Sequence, residues 1–324
     1  MDINDIIYGK HIITEPVLVK IINSPTFLRL KYINQAGPSQ YLFPWKKISR
    51  LDHSVGVLLL LRIFKASLEE QIAGLLHDLT HTAFSHVADF MFANKNHEYH
   101  ELFHEQMVTE SEIGGILKKY KISQKVMHPE NYSLLEQDMP DLCADRLDYA
   151  LRDFMVLKQD QTSIKIKLDG LTVFNNEFVF KNAVTAESFA NDYLFMDQAT
   201  WANPREIAAY EIMAQALQHA LERGVLNHND LFTDDQTVME ILRAKGDPYI
   251  RKKLNFLTPR FRIEQASSKH YHLKVKTKIR FVDPKVLLVE KLKRLSELSK
   301  SFKDKLNKHI KQGRKGWYLF VYPE

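Results

Sequence analysis

The chain has 324 residues, 45% of them hydrophobic, which is enough for one large domain or two ordinary ones with a substantial core. Its net charge of +5 is mild, and a single cysteine, Cys143, excludes an intramolecular disulfide framework. No segment reaches the roughly 20 apolar residues needed to cross a bilayer. The opening Met-Asp-Ile-Asn-Asp also lacks a basic region followed by an apolar core, so the expectation is a cytoplasmic protein without membrane contact.

In chain order, Pro16 stands as a first-turn residue before Val17, Leu18, Ile21 and Ile22, and a second helix start follows Ser24-Pro25. Gln35 to Pro44 reads as a loop, because Gly37-Pro38 breaks a helix and Pro44 blocks a long strand. Ser54 to Phe64 is apolar almost all round, the pattern of a buried central helix. The next helix starts at Ser67 with Glu70 three residues on, the spacing of a capping box. It runs into Gln71-Ile-Ala-Gly-Leu-Leu-His77-Asp78-Leu-Thr-His81-Thr-Ala-Phe-Ser-His86, a dense group of metal-binding and proton-transferring side chains. His53 opens one helix and His77 closes its neighbour, so an antiparallel hairpin would bring the two imidazoles together.

Helices are expected near Phe90 to Ala93, from His97 to Thr109 and from Ser111 to Lys119. A further helix starting near Pro140 would place Asp145, Tyr149 and Asp153 at i, i+4 and i+8, one stripe natural for a site wall. Leu171 to Lys181 reads as a hairpin turning at Asn175-Asn176, and 185 to 223 as helical with an interruption near Asn203-Pro204. Beyond residue 240 the pattern changes: Phe256 to Ile263 and Tyr271 to Phe281 look strand-like, 285 to 311 like a charged helix, and Trp317 to Tyr322 like a short strand. The basic residues of 291 to 315, which include Arg314 and Lys315, read as a solvated helix face, with a phosphate or nucleic-acid contact as the alternative.

Histidines, an adjacent His-Asp and a distant Asp form a nitrogen and oxygen set suited to a divalent first-row metal. Arg50-Leu-Asp-His53-Ser-Val-Gly-Val, Gly74-Leu-Leu-His77-Asp78-Leu-Thr-His81-Thr-Ala-Phe-Ser-His86 and Asp145-Arg-Leu-Asp-Tyr149-Ala-Leu-Arg-Asp153 resemble the motifs of the HD-domain phosphohydrolases. More narrowly they are similar to the branch containing the SAM-and-HD-domain dNTP triphosphohydrolase and its bacterial relatives. The similarity spans roughly residues 1 to 215.

The resemblance implies a mainly α fold, an HD-domain helical bundle with a small β-hairpin over 1–240, while the change of pattern beyond 240 reads as a C-terminal α+β subdomain over 241–324. It implies that His53, His77, Asp78 and Asp145 bind one divalent ion, whether Fe, Mn, Ni, Zn or Mg. Arg50 would contact phosphate, His81 and His86 would line the phosphate path with His86 as proton donor, and Asp89 matches a polar position beside the metal. His104-Glu105 looks like the family's second His-Glu pair. Tyr149 and Asp153 resemble a pair that reads the sugar 3'-hydroxyl, and Gln35 resembles a glutamine near the same sugar. Tyr210 is either a tyrosine packed on the deoxyribose or a core aromatic. The activity implied is hydrolysis of a deoxynucleoside triphosphate to deoxynucleoside and triphosphate. The rivals are another HD phosphohydrolase reaction and a non-catalytic nucleic-acid-binding regulator. The partners expected are a nucleotide, further copies of the chain and, weakly through the basic helix, single-stranded nucleic acid.

Three departures stand out. The places that bind an activating guanine nucleotide in related enzymes are Asn23, Leu28 and Lys31 here, so activation there is not expected. Thr80 and Thr82-Ala83 replace a glycine and a Gly-Pro of the family pattern, which alters loop conformation more than chemistry.

Overall fold

The computed structural model describes residues 1–92, 99–276, 278–289, 291–313 and 316–323. His97, Arg314 and Lys315 therefore lie outside the described residues, and so does part of the helix expected from His97. The fold is mainly helical with three small sheets.

The centre is the helix Arg50–Ile63, in which every residue from His53 to Leu61 is buried. Its sequence allows nothing else, since an almost continuous apolar surface needs neighbours on all sides. Ser49 and Asp52 cap its start reciprocally, each satisfying a backbone N–H of the other. The helix Leu68–Leu76 runs beside it, with the Ser67 hydroxyl accepting from the Glu70 N–H. The Glu70 carboxylate does not close a capping box; it accepts from the Leu134 N–H instead, at 2.9 Å.

The strands are β1 (Asp2–Asp5), β2 (Gly9–Ile12), β3 (Leu171–Phe174), β4 (Glu177–Phe180), β5 (Arg262–Gln265), β6 (Leu273–Val275), β7 (Lys285–Leu288), β8 (Lys291–Arg294) and β9 (Trp317–Tyr322). They form β1-β2, β3-β4-β7-β8 with β4 and β7 parallel, and β5-β9-β6. The β3-β4 hairpin turns at Asn175 and Asn176, both at positive φ, as the sequence expects.

Two elements differ from expectation for visible reasons. The charged stretch from 285 starts as the β7-β8 hairpin, because Val286 is drawn into the core and pairs with Phe180; helix follows only at Leu295–Leu298 and Lys300–Gly313. The helix expected from Pro140 begins at Ala144, because Arg146 folds back to donate to the carbonyls of Asp141 and Gln137 and holds that segment as a turn. The β1-β2 hairpin was not legible in advance, and Tyr271 to Phe281 contributes only the three residues of β6.

Two apolar cores result. One surrounds the Arg50–Ile63 helix and takes in Leu147, Leu151, Phe189 and Phe302. The other surrounds the helix Pro204–Glu222 and includes Phe84, Val87, Leu242, Phe261, Leu319 and Val321. Residues after 240 enter both cores, and the chemistry-bearing side chains lie where the two meet.

Candidate metal centre and substrate cleft

His53 sits in the first turn of its helix, and His77 caps the C-terminus of the helix beside it; their rings are 5.1 Å apart. Their Nε2 atoms face each other at 3.2 Å. Asp145 Oδ1 lies 3.0 Å from His53 Nε2 and 3.5 Å from His77 Nε2, while Asp78 oxygens lie 3.6 Å from each. The opposite ring atoms settle the tautomers. His53 Nδ1 is 2.8 Å from Asp148 Oδ2 and His77 Nδ1 is 2.8 Å from the Gly74 carbonyl, so both Nδ1 atoms donate. Two Nε2 atoms then face each other among carboxylates, a place built for positive charge, whether a proton on one ring or a metal ion between them. Ligand atoms about 2.1 Å from one ion and at right angles are about 3 Å apart, and the observed separations fit.

The electrostatics agree. Burial would depress the His53 imidazolium, yet the hydrogen bonds of Asp145 and Asp148 outweigh it and hold the group up at about 10. Burial would raise the Asp78 carboxyl, but the Arg50 guanidinium and the His77 imidazole keep it well below the usual range. Every one of these ligand atoms is poised for a positive charge.

Around this cluster, Arg50 Nη1 ion-pairs with Asp78 Oδ2 at 2.5 Å and its Nε donates to Ser85 Oγ at 3.0 Å. His81 Nε2 is 3.1 Å from Asp78 Oδ1. His86 stands edge-on to His81, with ring centres 4.8 Å apart, and its Nδ1 is 3.0 Å from Asp89 Oδ2. Burial lowers the His86 imidazolium below its ordinary value, Asp89 opposing only in part. The loop carrying these residues holds two successive non-glycine residues, Phe84 and Ser85, at positive φ, which costs on the order of 1–3 kcal/mol each and needs support. Arg29 supplies it by donating to the carbonyls of Leu79, His81 and Thr233, and Asp235 by accepting the N–H groups of Phe84 and Asn34.

The second wall is aromatic. The Tyr149 hydroxyl contacts that of Tyr193, and the Trp201 indole N–H donates to Asp153 Oδ2 at 2.6 Å. Trp201 closes a π-helical turn, Asp197–Trp201, of the wide kind often found at functional sites. Gly37, at φ +50°, lets the Gln35 loop pass under Tyr210: a Cβ there would lie 2.5 Å from the Phe84 carbonyl and 2.9 Å from the Tyr210 hydroxyl. The Gln35 amide oxygen is buried with no hydrogen-bond partner.

The structure thus brings His53, His77, Asp78, Asp145, Arg50 and His81 into one cluster, with His86 and Asp89 beside it and Tyr149 and Asp153 on the same helix as Asp145. The His104-Glu105 pair is not assembled. His104 is buried, its Nε2 is unpartnered and burial pushes it down to about 4, whereas Glu105 is exposed. Tyr210 stacks near Phe90 at 5.5 Å and also borders the Gln35 loop, so it is both a packed aromatic and a wall of the cleft. Asp148 and Arg152 went unread, although the Asp145 to Asp153 stretch contains them: Asp148 orients His53, and Arg152 joins Asp148 to Asp5 of β1, both at 2.7 Å. Their signal was the spacing, with Asp148 one helical turn after Asp145 and Arg152 one turn further.

Two neighbouring helices thus bring His53, His77 and Asp78 together as a group able to hold a divalent metal, with Asp145 against both imidazoles, in a mainly helical fold. The HD-domain family profile matches residues 50–149. The chain is 36% identical over 328 residues to the uncharacterized protein YdhJ of Bacillus subtilis, covering 99% of each. It is 33% identical to the metal-dependent phosphohydrolase cns2 of Cordyceps militaris, covering 88% of this chain and 84% of that one. Human deoxynucleoside triphosphate triphosphohydrolase SAMHD1 is 35% identical over 159 residues, but these are only 24% of its length. A crystal structure of a phosphohydrolase from Bacteroides thetaiotaomicron shares the fold over the whole of both chains, with a TM-score of 0.74 at 19% identity. The chain belongs to the HD-domain family of metal-dependent phosphohydrolases. Its cofactor is a divalent metal ion, and His53, His77 and Asp78 form a group able to hold one. Among the described residues no helix is long and apolar enough to cross a membrane.

Proposed function

We propose that the protein hydrolyses a nucleotide, and specifically that it cleaves a deoxynucleoside triphosphate at the α-phosphorus to give a deoxynucleoside and triphosphate. His53, His77, Asp78 and Asp145 would hold the ion, which when bound polarises a phosphoryl oxygen and lowers the pKa of water. Asp148 and the Gly74 carbonyl fix the two rings so that each presents Nε2. Arg50, already beside Asp78, neutralises charge developing on the phosphoryl oxygens. Water adds to phosphorus as the bond to the sugar oxygen breaks; His86 would donate only in its protonated form, with Nδ1 held by Asp89 and the Nε2 proton passing to that oxygen, and the proton lost by the water would return through solvent to restore the imidazolium.

The observation that carries the nucleotide reading is a buried acceptor left without a donor near the charged cluster. Arg50, His81 and His86 would take the phosphate and Tyr149, Asp153 and Gln35 the sugar; what supports this is the buried amide oxygen of Gln35, which lacks a donor that a sugar hydroxyl would supply. One observation favours a second reading, hydrolysis of a nucleotide phosphomonoester. Arg146, next to Asp145, spends its guanidinium on two backbone carbonyls, and the neighbouring Glu136 is pushed up to about 7 by burial and by Asp145. The Arg146 donors are thereby withheld from a polyphosphate.

The test is product analysis. Protein stripped of metal and reloaded with one ion at a time is offered four dNTPs, four NTPs and the corresponding monophosphates. Release of inorganic triphosphate from dNTPs is expected; release of orthophosphate alone, from monophosphates, selects the second reading. Folded, metal-loaded protein that turns over none of them overturns both.

A further inference from the structure

The arginines around the cleft are committed elsewhere, with one exception. Arg29 and Arg146 hold backbone carbonyls, Arg152 holds Asp148 and Asp5, and Arg50 holds Asp78. Arg280 is half-buried, and among the described residues no side chain hydrogen-bonds or ion-pairs with its guanidinium. A guanidinium carries five donors and stays charged, so leaving it without an acceptor in a partly desolvated place is costly.

Its backbone, by contrast, is firmly placed. The Arg280 N–H donates to Asp197 Oδ1 at 3.2 Å, and His309 Nε2 lies 3.2 Å from the Arg280 carbonyl and 3.0 Å from Asp197 Oδ2. The preceding residue, Ile279, packs on Gly313 so closely that a Cβ there would lie 2.6 Å from it. The helix Lys300–Gly313 and the π-helical turn that bears Trp201 therefore grip the segment from both sides. The guanidinium lies within electrostatic reach of Tyr149, Asp197, Tyr193 and Tyr210, and of His86 and Asp153, groups of the metal-side cluster and the aromatic wall. His86 and Tyr210 are neighbours it shares with Arg50.

We propose that Arg280 is a substrate-binding residue, whose guanidinium, delivered by the C-terminal segment, takes a phosphoryl group of the substrate together with Arg50. The acceptor it lacks is then the ligand's, and the planar fork suits two phosphoryl oxygens at once. Of the functional reading above, this uses only the presence of a phosphoryl group on the substrate.

Calorimetric titration of the full chain with inorganic triphosphate and with orthophosphate tests it. Wild type is expected to bind at least one of them, R280Q about 10- to 100-fold more weakly, and R280K in between. Where a nucleotide is turned over, R280Q should raise KM more than it lowers kcat. R280Q binding as tightly as wild type, or wild type binding neither ion, overturns the proposal. An arginine-specific dicarbonyl reagent gives a readout without any variant: Arg280 should be labelled in wild type and protected by the bound ion, and labelling indifferent to that ion also overturns it. Arg280-dependent binding without turnover of any nucleotide would sink the catalytic reading alone.

Discussion

At the scale of single residues, the Nδ1 atoms of the two central histidines decide what their Nε2 atoms can do. His77 relies on a backbone carbonyl, which no side-chain substitution removes, but His53 relies on Asp148. Asp148→Asn keeps the shape and loses the charge that fixes the ring. Metal affinity is expected to fall about 10- to 100-fold, with activity recovering as metal is added; metal titration against a chromogenic chelator measures it, and wild-type affinity in the variant would show that the carboxylate does not set the ring. The candidate group His53, His77 and Asp78 was legible because His77-Asp78 are adjacent and lie in a run of further histidines. Asp148 was not, because a carboxylate inside a helix looks the same whether it faces water or an imidazole; only its partner on another helix reveals it. Glu105 shows the converse, an acid beside a histidine in sequence whose helix turns it to the surface.

Among the elements, the crossing of the Arg50–Ile63 and Ala144–Lys158 helices sets the geometry of the centre. Gly56 makes the crossing close: a Cβ there would stand 1.8 Å from Arg152 Nη2 and 2.1 Å from Asp148 Oδ1, both in a buried ion pair that cannot swing into solvent. Gly56→Ala is expected to cost about 3 kcal/mol or more and to lower metal affinity at the same time, read by urea unfolding and by metal titration. An unchanged unfolding midpoint would mean that the helices separate freely. The buried helix was easy to foresee, since its apolar surface has one solution. The stretch from 285 was not, since Lys-Leu-Lys-Arg reads equally as a helix face or as alternating strand, and its pairing with β7 decided.

For the molecule as a whole, acid stability follows from His104. Its ordinary value is 6.5 and burial pushes it down to about 4, so the fold accepts the neutral ring while the unfolded chain takes up a proton first. The stability this supplies is present above about 6.5 and withdrawn as pH falls towards 4, up to about 3 kcal/mol in all. Urea unfolding of wild type and His104→Gln from pH 7 to pH 4 should give a steeper fall for wild type; parallel curves would remove His104 from the account.

The middle strand of the β5-β9-β6 sheet is the one translated last of the three, and its Leu319 and Val321 complete the apolar core that backs Phe84 and Tyr210. On the ribosome, the proposed metal ligands from His53 to Asp145 emerge long before that strand exists. The core around the Arg50–Ile63 helix also waits for Val282, Val286, Leu295 and Phe302, so both the support of the metal centre and the cleft are completed by late segments. Competence is therefore timed by the segments after residue 280, and a chain stalled short of β9 would lack the packing behind Phe84 and Tyr210.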